Sequence, residues 1–160
     1  MAVAQAKGDR QRWLEGAIRT DDAFARLHQL PSYGDRAVVL RAGNQMIGVV
    51  GLVPLLLPFG QLPAFRHPGA RPAQPVPNTS EVGLYWEIAS AHQRKGYATE
   101  AGAALVRHAF DKLSLQRLVA TTTYDNIASI RVMRKLGMTI QRNPLPEPLF
   151  LQVVGVLENR

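Results

Sequence analysis

Cysteine is absent from the 160-residue chain, and this absence excludes several kinds of site at once. Without thiols there is no disulfide framework, no zinc–thiolate or iron–sulfur centre and no cysteine nucleophile. We also expect no metal site of another kind. The length and the 46% of hydrophobic residues suffice for one continuous core without cross-links. The sequence therefore predicts a single domain over residues 1–160.

A hydrophobic run long enough to cross a bilayer is also lacking. The longest apolar stretch, residues 46–59, is shorter than the roughly 20 residues of a membrane-spanning helix and contains Pro54 and Pro58. Residues 1–12 carry charges but no apolar segment of signal-peptide length. These absences predict a soluble, cytoplasmic protein without a membrane partner.

Acidic residues are fewer than basic ones, with 12 Asp and Glu against 19 Lys and Arg and a net charge of +7. Such a charge attracts polyanions, among them nucleic acid, anionic lipid and a phosphorylated cofactor. The basic residues are spread along the chain and form no basic tail. A solvated cationic surface explains them equally well, so the charge alone does not choose a partner.

The hydrophobic pattern predicts an α/β chain. Residues 9–30 have apolar positions at helical spacing and predict one or two amphipathic helices that end at Pro31. A β-hairpin is predicted after them, with strands at 37–40 and 45–53. Residues 58–80 form a Pro-rich loop, which we interpret either as a surface excursion or as a flap beside a substrate.

The second half of the chain predicts a strand at 81–89, on which Glu81 and Glu87 share one face. The remaining elements alternate between helices and strands, and they complete a mixed sheet with helices on its faces. They are a helix at 99–113, a strand at 118–123, a helix at 127–136 that ends at Gly137, and strands at 138–142 and 150–158.

A turn with the composition of an anion site joins the 81–89 strand to the next helix. Residues 93–98 have the sequence Gln-Arg-Lys-Gly-Tyr-Ala. Backbone N–H groups in the first turn of a helix lack partners and carry partial positive charge, so a pyrophosphate can accept several hydrogen bonds there. Gly96 and Ala98 are small enough to let an anion reach the backbone. Turns of this composition also open helices that bind nothing, and neither a P-loop nor a dinucleotide fingerprint is present.

Four segments in order give the sequence a specific resemblance. They are EVGLYW at 81–86, QRKGYATE at 93–100, DNIASIRV at 125–132 and KLGM at 135–138. Together they resemble the signature of the GNAT (Gcn5-related) N-acetyltransferases, in particular the RimJ/RimL-like group. The resemblance implies the acyl-CoA N-acyltransferase fold, a mixed, mostly antiparallel sheet with splayed central strands and flanking helices. Relatives have a further strand and helix ahead of the segment that corresponds to 12–30, and we expect these to be missing.

The same resemblance implies acetyl-CoA (coenzyme A) as the cofactor and assigns its contacts. The pyrophosphate would meet the backbone of the turn that Gln93 opens, and the pantetheine arm would lie between the splayed strands. Asn126 and Ser129 would lie beside pantetheine and sulfur. The other cofactor-binding residues that the resemblance implies are Ile88, Ala89, Arg94, Lys95, Gly96, Tyr97, Ala98 and Thr99. Helix capping alone also explains Asn126, and an exposed hydroxyl without a role explains Ser129.

Direct acetyl transfer to an amine needs a base, a donor to the carbonyl oxygen and an acid, but no covalent enzyme intermediate. Glu81 and Glu87 are the candidate catalytic bases, although either can instead be a structural hydrogen-bond partner. The tyrosine that many relatives use as the acid falls at Met133 here. This departure leaves Ser129 as the first candidate acid and Tyr124 as the second.

These features predict an N-acetyltransferase whose acceptor is a primary amine, either a protein N-terminus or a small molecule such as a polyamine or an antibiotic. The contrasting interpretation is a basic GNAT-fold module that binds RNA or ribosomes without turnover, although we expect nucleic acid not to be the partner. The strand at 37–40 is expected to lie at a sheet edge. An edge strand can pair with a second copy, so a homodimer or some other covering of that edge is also predicted.

Overall fold

The computed structural model describes residues 34–66 and 76–159, together with Arg12, Glu15, Gly16 and Arg19, which are helical. The rest of the segment predicted as helices over 9–30 lies outside the described residues, as does the middle of the Pro-rich loop. The elements from residue 34 onward are β1 (Gly34–Leu40), β2 (Gln45–Leu57), β3 (Thr79–Ile88), α1 (Tyr97–Asp111), β4 (Arg117–Thr122), α2 (Ile127–Lys135), β5 (Thr139–Arg142) and β6 (Val153–Glu158). Each corresponds to a predicted element with displaced ends.

The six strands form one sheet in the order β1-β2-β3-β4-β6-β5. Neighbouring strands run antiparallel, apart from β3 and β4, which run parallel. The predicted mixed, mostly antiparallel sheet is therefore confirmed. β1 stands at one end of this order, as expected for the 37–40 strand.

Strand β2 continues past Pro54, where the sequence predicted its end. The N–H of Ala89 donates to the carbonyl of Ile47 at 2.8 Å, so the odd-numbered residues of β2 bond to β3. The nitrogen of Pro54 is directed to the opposite side, where Leu52 with Gly34 is the last registered pair among the described residues. Because Pro54 is not one of the residues that bond to β3, the proline costs no hydrogen bond to that strand, and β2 continues to Leu57.

The sheet has a separate core on each face. One face packs against α1 and α2, with Leu84, Leu105, Leu118 and Met133 at its centre. Since Leu105 lies on α1 and Met133 on α2, both helices cover the same side of the sheet. The two strands that precede these helices are thereby held against one continuous apolar layer.

The second core corrects the interpretation of the Pro-rich loop as a surface excursion. Phe59 and Leu62 form its first turns and are 0% exposed, because they pack with Val119, Leu151 and Val154 on the other face of the sheet. The loop is also shorter than predicted at its far end, since β3 begins at residue 79. The start of this segment is therefore part of the core.

Candidate functional site

The central strands β3 and β4 separate from one another. β3 pairs with β2 along its whole length, and β4 pairs in the same way with β6. Between β3 and β4, the only registered pair in the described part of the sheet is Gly83 with Val119. Residues 84–88 and 120–122 are not registered with each other, whereas an ion pair between Glu81 and Arg117 joins the strands on the other side of Gly83, so the gap opens toward the carboxyl ends of both strands. The splayed central strands that the resemblance implied are present.

Ile88 directs its backbone into this gap. It stands opposite Gly48, while the next residue, Ala89, forms the hydrogen bond to Ile47. In an antiparallel pair the intervening residue turns its N–H and C=O away from the partner strand. The C=O of Ile88 accepts a hydrogen bond from Nε2 of Gln93 at 2.9 Å. The N–H of Ile88 is the backbone group that remains available to a ligand in the gap.

Ala89 was predicted, together with Ile88, to contact the cofactor through its backbone. Its N–H already donates to Ile47, and its C=O accepts from the N–H of His92 at 2.8 Å. Both backbone groups of Ala89 are thus engaged within the protein. Of the two predicted positions, Ile88 has the geometry to meet an extended arm.

The turn before α1 has the backbone of an anion site. Gly96 is the N-cap of α1 in a left-handed conformation (φ 90°), and Arg94 is also left-handed (φ 62°). Within the described residues, the N–H groups of residues 94–99 have no hydrogen-bond acceptor. A side chain at Gly96 would meet no atom within 4 Å, so the space beside this residue of the turn is open. These residues fit a pyrophosphate.

The start of α2 lies at the same end of the sheet. Asn126 is the N-cap, as predicted, and its Oδ1 accepts a hydrogen bond from the N–H of Ser129 at 3.1 Å. Since β3 and β4 are parallel neighbours, the chain leaves both of them at one edge and enters a helix from each. Ile88, the turn at 94–99 and the start of α2 therefore surround the open end of the gap, a position at which sheets of this kind bind ligands.

The two candidate bases are far apart. Glu81 lies seven residues before Ile88, which is about 23 Å along an extended strand, whereas Glu87 is its immediate neighbour. The carboxylate of Glu81 is only 9% exposed and forms a bidentate ion pair with Arg117. Glu87 is exposed. The strand thus brings one of the two carboxylates to the open end of the gap.

Two positions considered for the catalytic acid are occupied by residues with structural roles. Met133, at the position of the family tyrosine, is 1% exposed and belongs to the core under the helices. Tyr124 donates its hydroxyl to the carbonyl of Asn143, which fastens the loop between β5 and β6. Ser129 is half-buried in the first turn of α2. Its hydroxyl has no such structural bond among the described residues, which leaves Ser129 as the first candidate acid.

The sequence did not single out Arg117, although it is the partner of Glu81. Its only signal was a basic residue just ahead of a predicted strand, and the register that places it opposite Glu81 is a tertiary property. Also missed was the hydroxyl of Tyr85, which donates to Oδ1 of Asp35 across Gly51. The alternation of β3 places Tyr85 on the face of Glu87, but no local pattern connects it with β1.

A family model described as an acetyltransferase (GNAT) domain matches residues 2–139 of the chain. The chain belongs to the GNAT acetyltransferase family. The uncharacterized N-acetyltransferase YnaD of Bacillus subtilis (strain 168) is 43% identical over 128 residues, which are 78% of this chain and 62% of YnaD. The chain thus spans about three fifths of the length of this curated relative.

Solved structures share the fold of this GNAT domain. A putative GNAT-family acetyltransferase from Bordetella pertussis is 25% identical, with a TM-score of 0.58 over 94% of this chain and 77% of the other. The aminoglycoside acetyltransferase AAC(6′)-Ib in complex with coenzyme A is 19% identical, with a TM-score of 0.54 over 79% of this chain and 66% of the other. The second similarity shows the fold alone. No helix in the described part of the chain is long and apolar enough to cross a membrane.

Proposed function

We propose that this GNAT domain transfers the acetyl group of acetyl-CoA to a primary amine. The observation that carries the proposal is the turn at 94–99, whose N–H groups lack acceptors among the described residues and border the gap between β3 and β4. The turn suits the pyrophosphate of the cofactor, and the gap suits its extended pantetheine arm. Ile88 offers that arm one backbone N–H. The family and the coenzyme A complex of AAC(6′)-Ib support the same cofactor.

Acetyl-CoA supplies a thioester whose carbonyl carbon an amine can attack directly once both are held together. The N–H of Ile88 donates to the carbonyl oxygen as it gains charge. Glu87 accepts the proton of the acceptor ammonium at its carboxylate, directly or through one water. The hydroxyl of Ser129 donates a proton to the departing sulfur, and Asn126 holds the start of α2 beside it.

Glu87 is preferred to Glu81 as the base on geometric grounds. A base must come within hydrogen-bond distance of the proton it removes, or within one water of it. The roughly 23 Å of strand between Glu81 and Ile88 is several times too long for either route. The ion pair with Arg117 also occupies both oxygens of Glu81.

For the acceptor we propose a protein N-terminal amine first and a small-molecule amine second. The first rests on the four segments that resemble the RimJ/RimL-like group. The second rests on the fold neighbour AAC(6′)-Ib, which acts on aminoglycosides by name. The residues that surround the gap are compatible with both, because the amine itself is the only group that the proposed chemistry requires.

The test is a two-step measurement on the purified chain. Acetyl-CoA should first raise the melting temperature, because a ligand that binds the native state stabilises it. A panel of N-terminal peptides, polyamines and aminoglycosides is then screened for release of free thiol. Since the chain has no cysteine, coenzyme A is the only thiol that the assay can report. No thermal shift and no thiol with any amine, together with salt-sensitive binding of RNA, would favour the non-catalytic module instead.

Two further properties stay predictions. The hairpin that joins β1 and β2 exposes Val39 and Met46, which supports a homodimer formed through the edge strand. Light scattering at high protein concentration measures this, and a strictly monomeric species contradicts it. A cytoplasmic location is likewise proposed from the sequence alone and is measured by cell fractionation.

A further inference from the structure

The ion pair between Glu81 and Arg117 crosses from β3 to β4 at the closed end of the gap. Nε of Arg117 donates to Oε2 of Glu81 at 3.0 Å, and a second guanidinium nitrogen donates to Oε1. The register of Gly83 with Val119 places residue 81 directly opposite residue 117 on the same face of the sheet. The pair is therefore the side-chain neighbour of the single main-chain contact between the two strands.

The surroundings of the pair hold it in one geometry. Glu81 is 9% exposed and Arg117 is 33% exposed, so the charges are partly removed from water and are screened less than a surface pair. The guanidinium carbon of Arg117 lies 4.9 Å from the ring centroid of Phe65, which packs beside the second core. Glu158 approaches the same guanidinium at 3.7 Å but is 49% exposed. The Glu81 contact is thus the closer and the more buried of the two.

The sheet consists of two halves that meet at this place. β1, β2 and β3 form one half, and β4, β6 and β5 form the other. In the described part of the sheet, one registered residue pair joins the halves. A single main-chain pair restricts the angle between two strands less than two links do, and a second link on the closed side, two residues away along each strand, restricts it further. The ion pair is such a second link.

We infer that Glu81 and Arg117 are positioning residues that set the width of the gap between β3 and β4 for the cofactor arm. The inference rests on the proposed function, because it needs an arm in the gap. It gives Glu81 a role distinct from that of a base. The carboxylate acts through the position of Ile88, whose N–H must stay at hydrogen-bonding distance from the arm.

The experiment compares two ligands that differ only in the arm. Coenzyme A has the pantetheine arm, and 3′-phosphoadenosine 5′-diphosphate has the nucleotide and pyrophosphate without it. Calorimetry measures the affinity of wild type, Glu81→Gln, Arg117→Gln and the exchanged double variant Glu81→Arg/Arg117→Glu for both. Glu158→Gln is the matched control, since it removes only the exposed partner of the same guanidinium. Circular dichroism reports whether each variant is folded.

We expect each single variant to bind coenzyme A about tenfold more weakly, which corresponds to the loss of one or two backbone hydrogen bonds to the arm. Affinity for the arm-free nucleotide should stay unchanged, and Glu158→Gln should bind both ligands like wild type. The exchanged variant should recover coenzyme A affinity. If the single variants do not fold, recovery of both folding and coenzyme A binding in the exchanged variant supports the inference, and its failure overturns it.

Three other results overturn the inference. Equal coenzyme A affinity in wild type and in folded single variants means that the pair does not set the gap. Equal weakening of both ligands means that the pair supports the whole domain rather than the gap. A lower kcat at unchanged coenzyme A affinity means that the pair acts on the chemical step rather than on the width of the gap. Wild type that binds neither ligand contradicts the proposed function itself, before any variant is compared.

Discussion

Gln93 donates its side-chain amide to the backbone carbonyl of Ile88 across the start of the turn before α1. The bond ties the first residue of the proposed anion-binding turn to the last residue of β3. It also fixes the peptide plane between Ile88 and Ala89, which directly follows the N–H of Ile88 that faces the gap. The phosphate end and the thioester end of the proposed cofactor site are therefore mechanically connected through one side chain.

Replacing Gln93 by alanine should lower kcat/KM for acetyl transfer by about fivefold, because a hydrogen bond worth about 1 kcal/mol no longer holds the carbonyl of Ile88. Steady-state kinetics with acetyl-CoA measure the effect. Gln116→Ala is the control, since that side chain bonds only to the exposed Ser114 carbonyl at 3.4 Å. Equal rates in both variants would show that Gln93 does not orient the site.

Replacing Gly96 by alanine should abolish most of the thermal shift caused by coenzyme A. The methyl group would stand in the open space beside Gly96, in the turn where the pyrophosphate is proposed to lie. The left-handed φ adds a strain of about 1–2 kcal/mol to the folded state. The measurement is the melting temperature with and without ligand.

The control for this strain is Gly43→Ala in the hairpin between β1 and β2. Gly43 also has a left-handed φ (82°), and an added Cβ there also meets no atom within 4 Å. Both variants should lose similar stability, but only the Gly96 variant should lose the ligand effect. A retained ligand shift in Gly96→Ala would remove the anion site from the turn.

Replacing Glu87 by glutamine should lower kcat by about 10²- to 10⁴-fold while coenzyme A binds as tightly as before, because a general base contributes a factor of that size to the chemical step. Rapid-quench or steady-state rates at saturating acetyl-CoA give kcat, and calorimetry gives the affinity. Asp111→Asn at the end of α1 is an exposed carboxylate control. An unchanged kcat in Glu87→Gln would leave a water or another group as the base.

Much of this site was predictable because its parts are local. The alternation of β3 correctly placed Glu81 and Glu87 on one face, and the composition of residues 93–98 correctly predicted a turn that opens a helix. The N-cap at Asn126 and the left-handed Gly137 after α2 were also confirmed. Each of these features depends on a few neighbouring residues, so the sequence specifies them directly.

The features that the sequence did not predict depend on contacts between segments that are distant along the chain. The sequence contains Glu81 and Arg117 but not the parallel register that pairs them, and so it left Glu81 as a candidate base. Phe59 and Leu62 occur between prolines and were assigned to a surface loop, although they fill the core beside β4 and β6. Pro54 was expected to end a strand, but its nitrogen is directed away from β3, and the pairing with that strand continues to Leu57. In all three cases the decisive neighbour lies far away in sequence.

Replacing Gly51 by alanine should lower the free energy of unfolding by about 1–3 kcal/mol, as expected for an added methyl group in a packed site. Its Cβ would lie 2.6 Å from Oδ1 of Asp35 and would overlap the ring of Tyr85, which crosses β2 at this point. Urea unfolding measures the change through the midpoint at constant slope. The double variant Gly51→Ala/Tyr85→Ala should lose less stability than the sum of its parts, because the second change removes the obstructing ring. Additive losses would mean that the close approach of Tyr85 and Asp35 over Gly51 is not what excludes a side chain there.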